Sequence, residues 1–128
     1  EAEQFYRRLS KRMENFGLEL EMSKSRLIEF GRYAEERGYG VVRDLCGHGI
    51  GTALHEAPEI PNYEVGRKGV KLRPGMTLAI EPMINMGTYR VYIAEEDGWT
   101  VITDDELPSA QWEHTFVMKE DGLEILSD

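Results

Sequence analysis

Two histidines seven positions apart, His48 and His55, flank a glycine-rich bend in GHGIGTALHEAPEIPNY, which runs from Gly47 to Tyr63. Further on, two glutamates interrupt apolar segments: Glu81 in LAIEPMI, and Glu113, followed by His114, in WEHTFV. A carboxylate in so apolar a stretch is expensive to bury unless a cation or a hydrogen-bond donor compensates it. Two such carboxylates with an imidazole are natural ligands for a divalent ion that acts on water. No short helical ligand pair occurs, so these ligands have to converge from separate strands. Each residue also has an ordinary reading. A histidine among glycines is often structural, Glu81 can end a strand at solvent before Pro82, and Glu113 can pair with a lysine. On residue types alone the two readings stay level. Cys46 sits beside Gly47 and His48, where a nucleophile or metal ligand could stand. A small hydrophobe in a strand is the plainer reading.

Glycine at this density suits neither a helix nor a long strand, so His48 and His55 are placed around a turn. Upstream, the spacing predicts two helices within residues 1–37. In the first, Phe5, Leu9 and Met13 recur every four residues, and Asn15–Gly17 ends it with Gly17 as a left-handed cap. Leu18 to Met22 alternates as a short linker or strand. The second opens near Ser23 or Ser25 as N-cap and carries Leu27, Phe30, Gly31 and Ala34 on one face. It ends at Gly38 after Arg37, whose charge suits the helix dipole. From Gly38 the character is β. YGVVRDL is a β-type run, and Pro74–Gly75 turns the chain into a strand from Met76 to Ile84. RVYIAEEDGWTVIT reads as a hairpin around Glu95–Gly98, and QWEHTFVMKEDGLEIL repeats that logic around Glu120–Gly122. Helices followed by mostly antiparallel strands make an α+β plan. One domain, 1–128, then holds a helical part, 1–37, and a sheet part, 38–128.

Composition narrows the partners. The 128 residues are 41% hydrophobic and 30% charged, enough for one domain with a real core. The net charge of −9 argues against a nucleic-acid binder or an anionic membrane surface. No apolar run approaches a membrane span, and no signal-like segment is visible. A single cysteine excludes an internal disulfide and fits a reducing, cytoplasmic setting. The chain begins EAEQ, without methionine, which reads as a fragment, a processed form or a designed piece.

Four segments in order, GHGIGTALHEAPEIPNY, LRPGMTLAIEPMIN, DGWTVIT and SAQWEHTFVMKEDGLEIL, together resemble type I methionine aminopeptidase from about Gly38 onward. HEAPEIPNY and DGWTV separate it from prolidase-type enzymes, which share HGIG and EP. The resemblance implies the pita-bread fold, two pseudo-symmetric α+β halves around a metal centre. This chain would be the C-terminal half, two N-terminal helices packed on a curved, mainly antiparallel sheet. The implied activity is metal-dependent removal of N-terminal methionine from peptides or nascent proteins. By resemblance His48, Glu81 and Glu113 are metal ligands, and Glu113 bridges two ions in an intact site. His55 is the catalytic histidine that contacts the scissile peptide, and Leu54 and Trp99 line the methionine pocket. The implied cofactor is one or two divalent ions per site, of cobalt, manganese, iron or zinc. The family's two aspartate ligands lie in its other half and are absent here; Asp44 matches neither. The expectation is therefore a metallo-aminopeptidase, a hydrolase whose activity is weak or lost. The alternative is a non-catalytic half-fold that binds metal or peptide. The half would associate with a second copy of itself or with a complementary N-terminal half, and with neither nucleic acid nor membrane.

Overall fold

The computed structural model describes residues 24–66 and 69–127. The first expected helix and the Leu18–Met22 linker lie outside the described residues. The second expected helix is α1, Lys24–Glu35. Ser25 falls within it and is not its cap, and Ser23 lies outside the described residues. Phe30 and Ala34, one turn apart, are buried against Val41, Ile84 and Ala110. Gly38 stops the helix at φ 81°, a conformation open to glycine. Its N–H bonds Glu35 O at 3.0 Å, and the N–H of Tyr39 bonds Ala34 O at 3.1 Å. Those are the two bonds of a Schellman cap, and Tyr39 packs against the buried cluster that holds Ala34. Arg37 donates to Tyr33 O at 3.1 Å and adds a cation at the helix C-terminus.

Among the described residues the strands form a three-stranded sheet, a five-stranded sheet and a two-stranded ribbon, all antiparallel. The strands are β1 Gly40–Val41, β2 Gly47–Gly49, β3 Glu56–Ile60, β4 Thr77–Ile80 and β5 Met83–Asn85. They continue as β6 Val91–Ile93, β7 Val101–Thr103, β8 Ser109–Gln111, β9 His114–Met118 and β10 Leu123–Ile125. The sheet orders are β1-β5-β8 and β10-β9-β4-β2-β3, with β6 and β7 paired separately. Both expected hairpins form, β6–β7 and β9–β10. The YGVVRDL run is strand only over Gly40–Val41.

The single strand expected from Met76 to Ile84 is instead two, in different sheets. The break falls at Glu81-Pro82, because proline has no N–H to give the ladder. Opposite it, β8 and β9 break at Trp112-Glu113. The register nevertheless runs straight through. Ile80 pairs with His114 on one side of the break and Met83 with Gln111 on the other. Two residues lie between on each chain, so Glu81 stands opposite Glu113 and Pro82 opposite Trp112. The Trp112 N–H reaches Pro82 O at a long 3.4 Å. One continuous ribbon, bent between two sheets, therefore runs from the Met76–Met118 bond to the Met86–Pro108 bond.

Alternation along that ribbon sets its two faces. Leu78, Ile80, Ile84, Ala110 and Phe116 all lie on even-numbered positions and all are buried. They divide between two clusters. One is the α1 cluster already described, and the other joins Ile60, Leu78, Ile80 and Phe116. The odd-numbered positions, Glu81 and Glu113 among them, take the opposite face.

Candidate metal centre

Ladder bonds fall on even-numbered pairs of the ribbon: Met76 with Met118, Pro82 with Trp112, Met86 with Pro108. Glu81 and Glu113 thus form a non-hydrogen-bonded pair, the kind whose side chains approach most closely. Cβ atoms in such pairs are about 4.5–5.5 Å apart, and like charges directly opposite are destabilising. The fold places two carboxylates where each worsens the other.

His48 reaches the same place from β2. It pairs with Ala79, two residues before Glu81 and on the same face. The glycines around it answer a packing need. A Cβ on Gly47 would stand 2.4 Å from Ala79 O, and one on Gly49 would stand 2.2 Å from Ala57 O. Both contacts are with backbone, so β2 fits between β3 and β4 only without side chains at these positions. The pairing with β3 shifts between His48 and Gly49, a bulge that re-aims the ring.

The imidazole is held at both nitrogens. Nδ1 lies 2.8 Å from Gly49 O, which can only accept, so Nδ1 carries a proton. In the neutral ring this leaves a lone pair on Nε2, and Nε2 faces Glu81 Oε1 at 3.2 Å. Two acceptors aimed at one another need a proton or a cation to reconcile them. The other Glu81 oxygen accepts from Gln111 Nε2 at 2.9 Å. Glu81 is 14% exposed at its side chain. Burial first, and the negative Glu113 second, push its carboxyl above the ordinary 4.5, while His48 and Gln111 pull back.

The donor chemistry fits a divalent ion. A ligating histidine typically gives its other N–H to a backbone carbonyl, as His48 does. Donor atoms sharing an ion at about 2.1 Å lie roughly 3.0–3.4 Å from each other, which matches the His48–Glu81 separation. Among the described residues, no three His, Cys, Asp or Glu groups are gathered into a complete cage. His48 and Glu81 meet; Glu113 is exposed and acts on Glu81 through its charge.

The remaining expected residues are placed as follows. The His55 ring centroid is 4.3 Å from that of His48, with the planes 57° apart, and His55 is exposed. Leu54 and Trp99 are open to solvent, at 66% and 80% exposure, and neither is enclosed in a pocket. Asp44 is exposed. Cys46 is partly buried two residues before His48, and its thiol is pushed above 9.0 by burial and then by Glu59. A protonated thiol is a poor nucleophile, which favours the plainer reading of Cys46. Sequence reasoning missed Gln111. Its one signal was its place two residues before Glu113, hence on the same strand face.

Comparison with known proteins places the chain in a family. Residues 28–120 match the model of metallopeptidase family M24. The methionine aminopeptidase of Salmonella typhimurium is 53% identical over 96 residues, covering 75% of this chain and 36% of that protein. That of Rickettsia prowazekii is 44% identical over 115 residues, covering 87% of this chain and 44% of that protein. The crystal structure of the Thermotoga maritima methionine aminopeptidase superposes with a TM-score of 0.76 at 42% identity, over 89% of this chain and 48% of that one. The Rickettsia prowazekii crystal structure does so at 0.72 and 46%, over 78% and 40%. This chain belongs to metallopeptidase family M24. The relatives it resembles are methionine aminopeptidases of the pita-bread fold, and it spans less than half the length of each.

Proposed function

We propose that this chain carries one wall of a divalent-metal peptidase centre that acts on peptides with N-terminal methionine. The observation that carries the reading is the His48 Nε2–Glu81 Oε1 approach at 3.2 Å, with Nδ1 tied to Gly49 O and Glu113 in register opposite Glu81. His48, Glu81 and Glu113 would hold the ion, and carboxylate and imidazole accept cobalt, manganese, iron or zinc. A bound ion supplies Lewis-acid polarisation of a peptide carbonyl and lowers the pKa of water. The chain's own residues do the rest. Gln111 fixes the orientation of Glu81, and the Gly49 carbonyl fixes the tautomer of His48. His55, beside His48 and open to solvent, is placed to donate to the oxygen of a peptide carbonyl as charge develops on it. Leu54 and Trp99 offer apolar surface for a methionine side chain.

The exposed hairpin residues Tyr92, Ile93, Trp99 and Val101 support association with a second copy or with a complementary half. The cytoplasm is the setting we propose, in line with the single cysteine. Among the described residues no helix is long and apolar enough to cross a membrane. A second reading, a module that binds metal or peptide without turnover, is favoured by the lack of a three-group cage among the described residues. Cobalt or manganese titration by calorimetry, paired with a Met-Ala-Ser tripeptide cleavage assay with and without chelator, separates the two. Chelator-sensitive release of methionine supports the peptidase, metal binding without release supports the module, and no metal binding defeats the peptidase and leaves the module only its peptide-binding form.

A further inference from the structure

Trp99 stands at the tip of the β6–β7 hairpin, on a turn shaped by one side chain. Ala94 is buried, and Glu95 to Thr100 after it are exposed. The ladder that pairs Val91, Tyr92 and Ile93 with Thr103, Ile102 and Val101 continues to Ala94, whose N–H bonds Thr100 O at 2.8 Å. The Ala94 carbonyl also accepts the Gly98 N–H at 2.9 Å, and Gly98 turns the chain at φ 64°, a left-handed conformation open to glycine. Those bonds already close the hairpin.

Asp97 takes up three further donors beyond them. Its Oδ1 accepts the N–H groups of Trp99 and Thr100 at 2.9 Å each, and its Oδ2 accepts the Thr100 hydroxyl. Acceptance from the backbone two residues on is the Asx turn, in which a side chain stands in for a backbone carbonyl. The indole itself has little to hold it. Trp99 is 80% exposed, whereas Trp112 packs on the α1 cluster. A side chain with so little packing takes its direction from its backbone. From Asp97 to Thr100 that backbone is fixed by the Asp97 carboxylate. What the three bonds hold, beyond the closed hairpin, is therefore the placement of Trp99.

We infer that Asp97 is a positioning residue for recognition of the methionine side chain, acting through Trp99. The inference rests on the reading of Trp99 as a wall of the methionine pocket. A wall held in place before the peptide arrives removes the entropy loss of ordering it on binding. Tryptophan suits such a wall, because two side-chain torsions remain once its backbone is fixed. Without the carboxylate, the Trp99 and Thr100 N–H groups turn to water and the tip samples more conformations. Contact with the apolar methionine side chain weakens, while contacts to the peptide backbone made elsewhere do not.

The test measures the affinities of Met-Ala-Ser and Gly-Ala-Ser by NMR titration, with chelator present so that neither is cleaved. Wild type is compared with Asp97→Ala, Asp97→Asn, Trp99→Ala and the double variant Asp97→Ala/Trp99→Ala. The readout is the preference for the methionine peptide, which isolates its side chain. Wild type should prefer Met-Ala-Ser by about tenfold or more, the scale for burying such a side chain. Asp97→Asn keeps the Oδ1 acceptor and should keep that preference. Asp97→Ala should lose about threefold of it, and Trp99→Ala at least as much. The double variant should match Trp99→Ala, because a residue that acts through another has nothing left to act on. A merely structural aspartate would weaken both peptides alike. Wild-type preference in Asp97→Ala, equal loss for the two peptides, a loss in Asp97→Asn as large as in alanine, or a double variant in which the losses add overturns the inference and leaves the pocket reading standing. No methionine preference in wild type, or full preference in Trp99→Ala, instead overturns the pocket reading and the inference with it.

Discussion

The ribbon that carries Glu81 and Glu113 and the β6–β7 hairpin that carries Trp99 are both antiparallel pairs, held by different forces. The ribbon joins segments far apart in sequence. Its register holds because Leu78, Ile80, Ile84, Ala110 and Phe116 fill buried clusters, and a slip by one residue would turn all of them to the other face of the ribbon, out of those clusters. The hairpin closes on itself. Asp97 Oδ1 accepts the N–H groups of Trp99 and Thr100 at 2.9 Å each, and Oδ2 accepts the Thr100 hydroxyl. Little of it is covered, and Tyr92, Ile93, Trp99 and Val101 face solvent. Charges that must oppose each other at fixed separation are placed where the core dictates register. Apolar surface is displayed where a local turn is enough.

Truncation should separate the two regions most. Phe116→Ala, at a position 2% exposed, should cost about 3–5 kcal/mol in urea unfolding. Trp99→Ala should stay within about 0.5 kcal/mol. Equal costs would break the comparison. Glycine replacement sharpens it. In Gly49→Ala the new Cβ meets Ala57 backbone at 2.2 Å, and a loss of about 2–3 kcal/mol is expected, together with displacement of His48. Gly98, at φ 64° with open space around it, should lose only about 1 kcal/mol as alanine, from backbone strain alone. Thermal melts of both variants decide this.

Acid should act on the hairpin in a defined window. Its hydrogen bonds, led by that from the Thr100 hydroxyl, hold the Asp97 carboxyl down to about 2, from an ordinary 3.8. A folded value below the unfolded one means a contribution complete above 3.8 and lost as pH falls through about 2. Amide shifts of Trp99 and Thr100 should move in that window, and Asp97→Ala should abolish the movement. The smallest effect expected is at Cys46. Its raised thiol pKa predicts alkylation by iodoacetamide at neutral pH slower than that of a free cysteine. Reaction at the free-thiol rate would show that the burial of this thiol is lost in solution.

Legibility in the sequence followed the range of the interactions. Both hairpin turns were readable because Glu95–Gly98 and Glu120–Gly122 act within a few residues. The Gly38 stop of α1 was readable for the same reason. Proline states the strand break at Glu81-Pro82 chemically, and the ordinary reading of Glu81 as a strand end anticipates it, although the single strand expected from Met76 to Ile84 runs across it. The residue types at His48, Glu81 and Glu113 suggested a metal. The meeting of His48 with Glu81 rests on the β2–β4 pairing, a long-range contact that residue types alone do not state. Gln111 beside Glu81 is likewise a long-range contact. Leu54 and Trp99 carry the right side chains for a pocket wall, but their motifs say nothing of what stands opposite them.

Metal titration tests the central claim most directly. Wild type, Glu81→Gln, Glu113→Gln and His48→Ala would be titrated with Mn²⁺ and Co²⁺ by calorimetry at neutral pH, with Glu124→Gln on β10 as a control. If the ribbon register and the β2 bulge build one cation site, wild type and the control bind alike. Each of the three site variants then loses at least tenfold, about 1.4 kcal/mol or more. Wild type that fails to bind, or binding that survives in Glu81→Gln and Glu113→Gln, would contradict it.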